Sequence, residues 1–303
     1  MYLKKIALRS VRNYKRLDLD LGPGLNLFAG DNAKGKTNLL EAVSLLASLR
    51  SFRGVKPQAV LSWDEGDAKG EITGEVVGQG GQRGQTRQGV RRLAVSLSSD
   101  GRRVVLDGKR PGAREYLLAL KVSVFSPEDL FLVREYPSHR RRFLDRSVFH
   151  TFPGYIDLVN RCRGAVKQLN AALKAGDGKV VASWEDVLAP LAAEVSALRR
   201  ERVDVLGPKA AVIYEKVLGG GNLGFTYRCA AKGCGRDELD KAYRELLEKK
   251  RDEGLRKGYC PVGPHADDLV VTLSGRDIKT SASRGQGRLA LLALVLADGE
   301  LYR

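Results

Sequence analysis

The spacing of hydrophobic and polar positions changes along the chain. Over the first 49 residues it predicts three strands followed by a helix. Residues 2–8 and 16–21 are two strand candidates; in the second, leucines alternate with aspartates at the period of two of a half-buried strand. The apolar run 25–29 predicts a short buried strand. Apolar residues then recur at helical spacing from Leu39, which predicts a helix to about Leu49.

Residues 60–110 have a different pattern, with short Val/Leu runs separated by turn signals. Asp100-Gly101 and Asp107-Gly108 are dipeptides typical of hairpin turns. We therefore predict an antiparallel meander. Within it, residues 78–89 contain no apolar side chain, and we expect an exposed, mobile hairpin tip that is either simply solvated or touches DNA.

The pattern becomes mainly helical after a further buried strand predicted at 122–125. Ser126-Pro127-Glu128-Asp129 predicts a helix start, because serine caps, proline suits the first position and acids suit the first turn. Further helices are predicted from Pro137 and over 153–173, 183–206, 208–218 and 237–250, with a short strand between 219 and 228. Strands return at 269–273, and an apolar helix is predicted over 289–296.

Composition and charge narrow the class of protein. The 303 residues are 43% hydrophobic and 29% charged, which permits a globular core. We expect a cytoplasmic protein, because the sequence contains neither a run of 18 uncharged apolar residues nor an N-terminal signal-peptide pattern. The net charge of +16 favours polyanionic partners, nucleic acid before membrane, although a basic surface also promotes solubility alone. Cysteines 162, 229, 234 and 260 match neither a disulfide framework nor a four-ligand zinc pattern, so we expect reduced structural thiols.

The strongest chemical signal is a P-loop motif between the strand 25–29 and the helix that follows. It reads G-x-x-x-x-G-K-T and consists of Gly30, Asp31, Asn32, Ala33, Lys34, Gly35, Lys36 and Thr37. Backbone N–H groups of such a turn and the following helix N-terminus attract phosphate. Lys36 is predicted to reach the β- and γ-phosphates of ATP, and Thr37 to ligate Mg²⁺. An ordinary glycine-rich strand–helix turn is the alternative.

A second small-residue turn precedes the last predicted helix. Ser283, Gly285 and Gln286 form a Ser-x-Gly-Gln sequence that predicts another phosphate cradle at a helix N-terminus. A P-loop together with a cradle that lacks the lysine suggests an ABC-type ATPase, in which two protomers sandwich the nucleotide. A metabolic P-loop kinase is the alternative, but it needs neither the second turn nor the strong positive charge.

With these motifs in place, the sequence resembles the RecF family, the DNA-repair members of the SMC/Rad50-like ABC ATPases. The stretches that carry the resemblance, in family order, are Val11-Arg12-Asn13-Tyr14, the P-loop with Asn38-Leu39-Leu40-Glu41-Ala42, Phe125-Ser126-Pro127-Glu128-Asp129-Leu130, Arg141-Arg142-Phe143-Leu144-Asp145, Gly263-Pro264-His265-Ala266-Asp267-Asp268 and Ser283-Arg284-Gly285-Gln286. They span nearly the whole chain.

The resemblance implies an α/β fold: an ABC-ATPase-type P-loop head with an antiparallel β meander and an inserted, mainly helical lobe. The implied domains are 1–125 (ATPase lobe), 126–257 (helical lobe) and 258–303 (return to the ATPase core). The implied function is ATP-dependent dimerisation and binding of duplex and gapped DNA, with RecR and RecO, to help load RecA.

The resemblance also implies roles for individual residues. Arg12 is expected to approach the nucleotide, and Ser283, Gly285 and Gln286 to contact the γ-phosphate held by the partner protomer. Arg140, Arg141, Arg142 and Arg146 are predicted to line a DNA path, although only some of them can share one helix face. His265, Asp267 and Asp268 either face the nucleotide or metal, or form a structural turn before a strand.

Departures from the family pattern qualify these expectations. Ala33 replaces a glycine, which costs roughly 1 kcal/mol if the position needs a positive φ; Ala266 and Arg284 are further replacements. The family's Walker B strand supplies the catalytic acid and a metal ligand, but the sequence ends at Arg303 before such a strand. The family is a weak, DNA-stimulated ATPase, and we expect poor hydrolysis here with the catalytic acid unknown. A nucleotide-binding interaction module without hydrolysis is the alternative.

Overall fold

The computed structural model describes residues 1–62, 69–80, 87–126, 136–218 and 221–302. The chain divides into two compact units, Met1–Ser126 and Pro127–Tyr302, and each is described by itself. The finer division into ATPase and helical lobes, with residues 258–303 returning to the ATPase core, stays a prediction.

The first unit is a five-stranded antiparallel sheet with helices. Its elements are β1 (Tyr2–Val11), β2 (Tyr14–Asp20), α1 (Lys36–Ser48), a 3₁₀ turn (Pro57–Val60), β3 (Gly70–Gly80), β4 (Arg87–Ser98), β5 (Gly101–Leu106) and α2 (Ala113–Ala119). The strand order is β2-β1-β3-β4-β5, and every neighbouring pair is antiparallel. The predicted meander and the predicted helix after the P-loop are confirmed.

One face of this sheet forms the core beneath α1. Ile6 on β1 and Ile72 on β3 are fully buried, and so is Leu46 on α1. Gly74 on β3 allows the close approach, because a Cβ atom there would lie 2.5 Å from Cδ2 of Leu46. The Tyr116 hydroxyl also donates a hydrogen bond to the Leu46 carbonyl at 2.8 Å. The alternating pattern of the strands therefore positions α1 and the loop that precedes it.

The predictions of two buried strands are wrong. Residues 25–29 form no strand in the structure, and the side chains of Leu25 and Leu27 are 97% and 85% exposed. Residues 122–125 are also irregular, and Phe125 is exposed. The physical reason is the same in both cases: no described strand pairs with either segment, and an apolar run forms a strand only beside a hydrogen-bonding neighbour.

The loop within the glycine-rich segment 78–89 is shorter than predicted. Gly78 pairs with Gly89 and Gly80 pairs with Arg87, so β3 and β4 continue into it. Every residue except proline carries one backbone donor and one acceptor, so the ladder extends through this segment although it lacks apolar side chains. The predicted tip itself, residues 81–86, lies outside the described residues.

The second unit is mainly helical. Its elements are α3 (Pro137–Thr151), α4 (Tyr155–Ala175), α5 (Gly178–Leu218), β6 (Leu223–Arg228), a 3₁₀ turn (Arg236–Glu238), α6 (Leu239–Lys257), β7 (Asp268–Leu273), β8 (Arg276–Asp277), α7 (Ile278–Ser281) and α8 (Arg284–Glu300). The strands form an antiparallel sheet in the order β6-β7-β8. The helix start predicted at Ser126-Pro127-Glu128-Asp129 lies almost wholly outside the described residues.

Helix α5 is the central element of this unit and corrects another prediction. Residues 183–206 and 208–218 belong to one helix of 41 residues that continues through Pro190 and Pro208. Each proline removes one backbone hydrogen bond, but α5 packs against α3, α4, α6, α8 and β6. This packing on several sides holds the helix together across both prolines.

All four cysteines are free thiols, and three of them are buried. Burial raises the pKa of Cys162 and of Cys260 to about 11, so both thiols are protonated at neutral pH. Within the described parts of the chain, no helix is both long enough and apolar enough to cross a membrane.

Candidate functional site

The P-loop sequence folds as a tight turn that leads directly into α1. Three residues of this turn adopt positive φ values: Gly30 at 148°, Ala33 at 64° and Gly35 at 97°. Glycine adopts such angles without strain, whereas alanine does not. Ala33 therefore occupies a position that requires a left-handed backbone.

The backbone donors of the loop are available to an anion. Among the described residues, no hydrogen bond is formed by the backbone N–H groups of Ala33, Gly35 and Lys36. The N-terminal end of α1 adds partial positive charge at the same place. Free N–H groups at a helix start are the arrangement that binds phosphate.

Lys36 bridges the loop through its ammonium group. Its Nζ atom donates to the carbonyl oxygens of Gly30 and Asp31 at 2.6 and 2.7 Å. These carbonyls hold the ammonium group within the loop, where it can exchange them for phosphate oxygens. Thr37, next along α1, is exposed, and its hydroxyl forms no hydrogen bond with a described residue. The hydroxyl is therefore available as a ligand of a hard cation such as Mg²⁺.

The turn between β1 and β2 lies against the phosphate loop. A Cβ atom on Gly35 would lie 2.6 Å from Asn13 Nδ2 and 2.8 Å from the Tyr14 hydroxyl oxygen. Asn13 also accepts a hydrogen bond at 2.7 Å from Asn38 in the first turn of α1. Gly35 is thus required both by its φ angle and by the close approach of two side chains.

A buried carboxylate lies one turn further along α1. Both Glu41 oxygens accept hydrogen bonds from Arg12 at 3.0 Å, and one accepts from Arg53 at 3.1 Å. Ser51 donates a further hydrogen bond to this carboxylate. Burial by itself raises the pKa of Glu41, but these hydrogen bonds and the two guanidinium charges hold the pKa below its ordinary value.

The predicted role of Arg12 at the nucleotide stays a prediction. The structure places two of its guanidinium nitrogens, Nε and Nη2, on Glu41. Glu41 and Arg53 were not singled out as site residues from the sequence. The sequence does contain an indication of the ion pair. Glu41 lies one turn before Leu45 on the apolar face of the helix, and a carboxylate buried there needs a cationic partner.

The second predicted phosphate cradle begins α8 in the second unit. The Ser283 side chain accepts from the Gln286 N–H at 3.2 Å, while the Gln286 side chain accepts from the Ser283 N–H at 2.8 Å. This is a capping box. A Cβ atom on Gly285 would meet nothing closer than Ser283 Oγ at 3.9 Å. The turn is exposed, and the structure places it in a unit different from that of the P-loop.

The predicted DNA-contacting arginines have separate environments, and the prediction for Arg140 is corrected. Arg140 is fully buried on α3 and forms a bidentate pair with Asp268 at 2.6 and 2.9 Å. Arg141 is partly buried and donates to the Asp267 carbonyl at 2.8 Å. Arg142 is exposed. Consecutive helical residues point about 100° apart, so the three side chains cannot share one surface.

The acids at the start of β7 have structural partners as well. Asp267 is buried and accepts from Tyr227 and from Ser196, the latter at 3.1 Å. Burial raises the pKa of Asp267, although these hydrogen bonds oppose the increase. Nε2 of His265 lies 2.9 Å from the Cys260 carbonyl oxygen. These contacts favour the structural-turn alternative for residues 265–268.

Comparisons with known proteins agree with this geometry. Residues 2–303 match the family described as RecF/RecN/SMC N terminal domain. The chain is 34% identical to DNA replication and repair protein RecF of Anaeromyxobacter dehalogenans (strain 2CP-1 / ATCC BAA-258). That alignment of 312 residues covers 100% of this chain and 81% of the relative. The RecF protein of Geobacter sulfurreducens is 32% identical, with 99% and 80% covered. A solved structure of the recombination mediator protein RecF with ATP, in the RecFOR pathway, is 26% identical with a TM-score of 0.88 over 99% of this chain and 80% of that chain.

Proposed function

This chain belongs to the RecF family of the RecF/RecN/SMC N-terminal domain proteins, and on that premise we propose that it is an ATP-dependent DNA-binding protein of DNA replication and recombinational repair. The observation that carries the proposal is the phosphate loop: Gly30, Ala33 and Gly35 have positive φ values, and backbone N–H groups beside Lys36 form no hydrogen bond with a described residue. This arrangement fits the phosphates of ATP, and a similar RecF protein is solved with ATP.

In the proposed complex, the N–H groups of the loop hold the β-phosphate. Lys36 exchanges its partners, the carbonyl oxygens of Gly30 and Asp31, for phosphate oxygens. Because the ammonium group already lies within the loop, ATP binding requires little rearrangement of the loop. Thr37 would hold Mg²⁺, since its hydroxyl is exposed at the first turn of α1. Mg²⁺ held there would offset part of the negative charge of the triphosphate.

The proposed assembly is an ATP-dependent homodimer. Ser283 and Gly285, at the N-terminus of α8, would contact the γ-phosphate held by the partner protomer's loop. The capping box supports this role, because it fixes the first turn of α8 while Gly285 leaves open space above it. A contact made only with ATP present would couple nucleotide binding to dimerisation.

The proposed DNA partner is duplex DNA, including the duplex beside single-strand gaps. The net charge of +16 supports a polyanionic partner. By analogy with the similar protein of the RecFOR pathway, we extend the proposal to cooperation with RecR and RecO in loading RecA, in the cytoplasm. Arg142 is the most suitable of the predicted DNA-contacting arginines, because its side chain is exposed whereas Arg141 and Arg146 are partly buried.

The test measures binding of fluorescently labelled ATP by the full chain and by Lys36→Ala. We expect Lys36→Ala to lose ATP binding at least about tenfold, since a charge-assisted phosphate contact is worth about 1.5–3 kcal/mol. Lys15→Ala is the matched control, because it removes the same charge from an exposed position on β2. Size-exclusion chromatography with and without ATP then reports the dimer.

Duplex DNA binding is measured in parallel at several salt concentrations. We expect a steep loss with salt, because counterion release dominates contacts to phosphate. If Lys36→Ala binds ATP as tightly as the parent, the proposed nucleotide site is wrong. A flat salt response would show that the positive charge serves solubility and not DNA binding.

A further inference from the structure

Strand β5 is an edge of the five-stranded sheet, and its backbone groups alternate between two directions. Asp107, directly after β5, donates its N–H to the Arg92 carbonyl on β4 at 2.8 Å. In an antiparallel pair, alternate residues direct their backbone groups toward the neighbouring strand. The odd-numbered residues of β5 therefore face β4, whereas the backbone groups of Arg102, Val104 and Leu106 point away from it.

Lys109 covers only the last of these three outward-facing residues. Its carbonyl oxygen accepts from the Leu106 N–H at 2.9 Å, and its N–H donates to the Leu106 carbonyl at 3.0 Å. Among the described residues, no strand lies beyond β5, and no group bonds to the backbone of Arg102 or Val104 on this side. Two N–H groups and two carbonyl groups are thus unpaired at this edge.

The same edge carries surplus positive charge. The segment 100–110 contains two acids, and one of them, Asp107, is already paired with Arg91. Arg102 donates to the Leu49 carbonyl at 2.5 Å, whereas Arg103 is exposed and forms no ion pair with a described residue. The segment has four exposed cations, which are Arg102, Arg103, Lys109 and Arg110. The opposite edge strand, β2, has two cations and two acids and therefore no such surplus.

The backbone pattern and the charge together distinguish between three kinds of partner. A nucleic-acid backbone offers phosphate acceptors, which would satisfy the N–H groups but would face the carbonyl oxygens with negative charge. A second copy of β5 would bring Arg103 of both chains together, and like charges opposite each other destabilise a strand pair. A peptide offers one donor and one acceptor per residue, so it can pair with both kinds of group, and acidic side chains would match the surplus charge.

We propose that the β5 edge binds an extended, acidic peptide segment of a partner protein, which adds a strand beside Arg102 and Val104. Backbone hydrogen bonds would supply affinity, and side chains at alternate positions would supply specificity. Ser96, Ser98 and Arg103 line part of an adjoining groove of about 540 Å³, which has room for such side chains.

This surface is distinct from the phosphate loop. Arg102 reaches the residue that ends α1, whereas the loop precedes the N-terminal end of that helix. The inference therefore goes beyond the proposed binding of nucleotide and DNA and requires neither ligand.

The main experiment measures binding of a fluorescently labelled peptide to the full chain by fluorescence anisotropy. The peptide has about eight residues and alternates glutamate with threonine, which favours the extended conformation. We expect saturable binding that falls about fivefold in Arg103→Glu, because a favourable charge contact becomes a repulsion. Lys15→Glu makes the same charge change at an exposed position on β2. As the matched control, it should keep the affinity of the parent.

A second comparison tests the backbone contacts. The same peptide with all its backbone N–H groups methylated keeps its charges but cannot donate to the carbonyls of β5. We expect it to bind the parent at least about fivefold more weakly. Val104→Pro removes one outward N–H and leaves the ladder with β4 intact, so it should weaken binding similarly. Urea unfolding checks the fold of this variant, while the methylated peptide tests the contacts on the unaltered chain.

Several results would overturn the proposal. The absence of saturable peptide binding to the parent at concentrations up to about 1 mM is one. Equal affinity for the methylated and unmethylated peptides would show a purely ionic contact without strand addition. If the peptide does not bind and Arg103→Glu instead weakens the binding of duplex DNA, the edge is a nucleic-acid surface. Self-association of the parent that Val104→Pro abolishes would assign the edge to a second copy of the chain.

Discussion

Replacing Ala33 by glycine should relieve strain that the structure locates at one position of the phosphate loop. Ala33 has a φ of 64°, and an L-residue in this left-handed region costs about 1–2 kcal/mol. Glycine removes that cost but gives the unfolded chain more freedom, which opposes the gain by about 0.5–1 kcal/mol. Ala33 is exposed, so no buried methyl group is lost. The net expectation is a stabilisation of about 0.5–1 kcal/mol.

Two measurements on the full chain show where this free energy is released. Urea unfolding gives the change in the free energy of unfolding, and titration with labelled ATP gives the change in affinity. If the loop keeps its shape when empty, the gain appears in unfolding; if the empty loop relaxes, ATP binds up to about fivefold more tightly.

Ala29→Gly is the matched control for this prediction. Ala29 is also exposed and lies just before the loop, but its φ is not positive. Glycine there should give no gain and a loss of up to about 1 kcal/mol. If Ala33→Gly behaves as Ala29→Gly does in both measurements, strain at Ala33 is not what distinguishes this loop.

Two further predictions concern buried charges. Arg140→Ala should lower the free energy of unfolding in urea by about 3–5 kcal/mol, because it breaks a buried pair with Asp268. Arg142 is exposed, so Arg142→Ala should change the free energy of unfolding by no more than about 0.5 kcal/mol. Equal effects of the two substitutions would contradict the burial of Arg140. The pKa of Glu41 is lowered in the fold, so its stabilising contribution is complete above the ordinary glutamate pKa of about 4.3 and is lost as the pH falls through the lower folded pKa. Unfolding measured between pH 7 and pH 3 should therefore show a weaker acid dependence in Glu41→Gln, and an unchanged profile would refute the contribution.

The sequence predicts those features that depend on local chemistry. Helix α1 begins at Lys36 and ends at Ser48, as the motif and the apolar spacing indicated. The turn with Ser283 and Gln286 lies at the N-terminus of a helix as predicted, and the structure adds that the two residues form a capping box. The turn signal Asp100-Gly101 also lies at the connection between β4 and β5, where residues 99 and 100 form the turn and Gly101 begins β5. In each case the residues that decide the structure are neighbours along the chain.

The features that were missed depend on residues far apart. The apolar run 25–29 gives no information on whether a strand lies beside it. The burial of Arg140 depends on Asp268, 128 residues later. Likewise, Glu41 and Arg53 acquire their roles through Arg12, which is 29 residues before Glu41. Local patterns cannot specify such partners, because the same charged side chain is equally suited to solvent.

Helix α5 has a consequence for how the second unit unfolds. With 41 residues it spans about 60 Å, and it contacts elements from both sides of it in the chain. Arg199 bonds to Asp145 on α3, and Arg202 bonds to Asp298 on α8. None of these elements can detach without exposing the buried face of α5 or leaving a charge unpaired in the interior. Amide protons at the middle of α5 should therefore exchange with deuterium only when the whole unit opens, so that α3 to α8 behave as one cooperative folding unit.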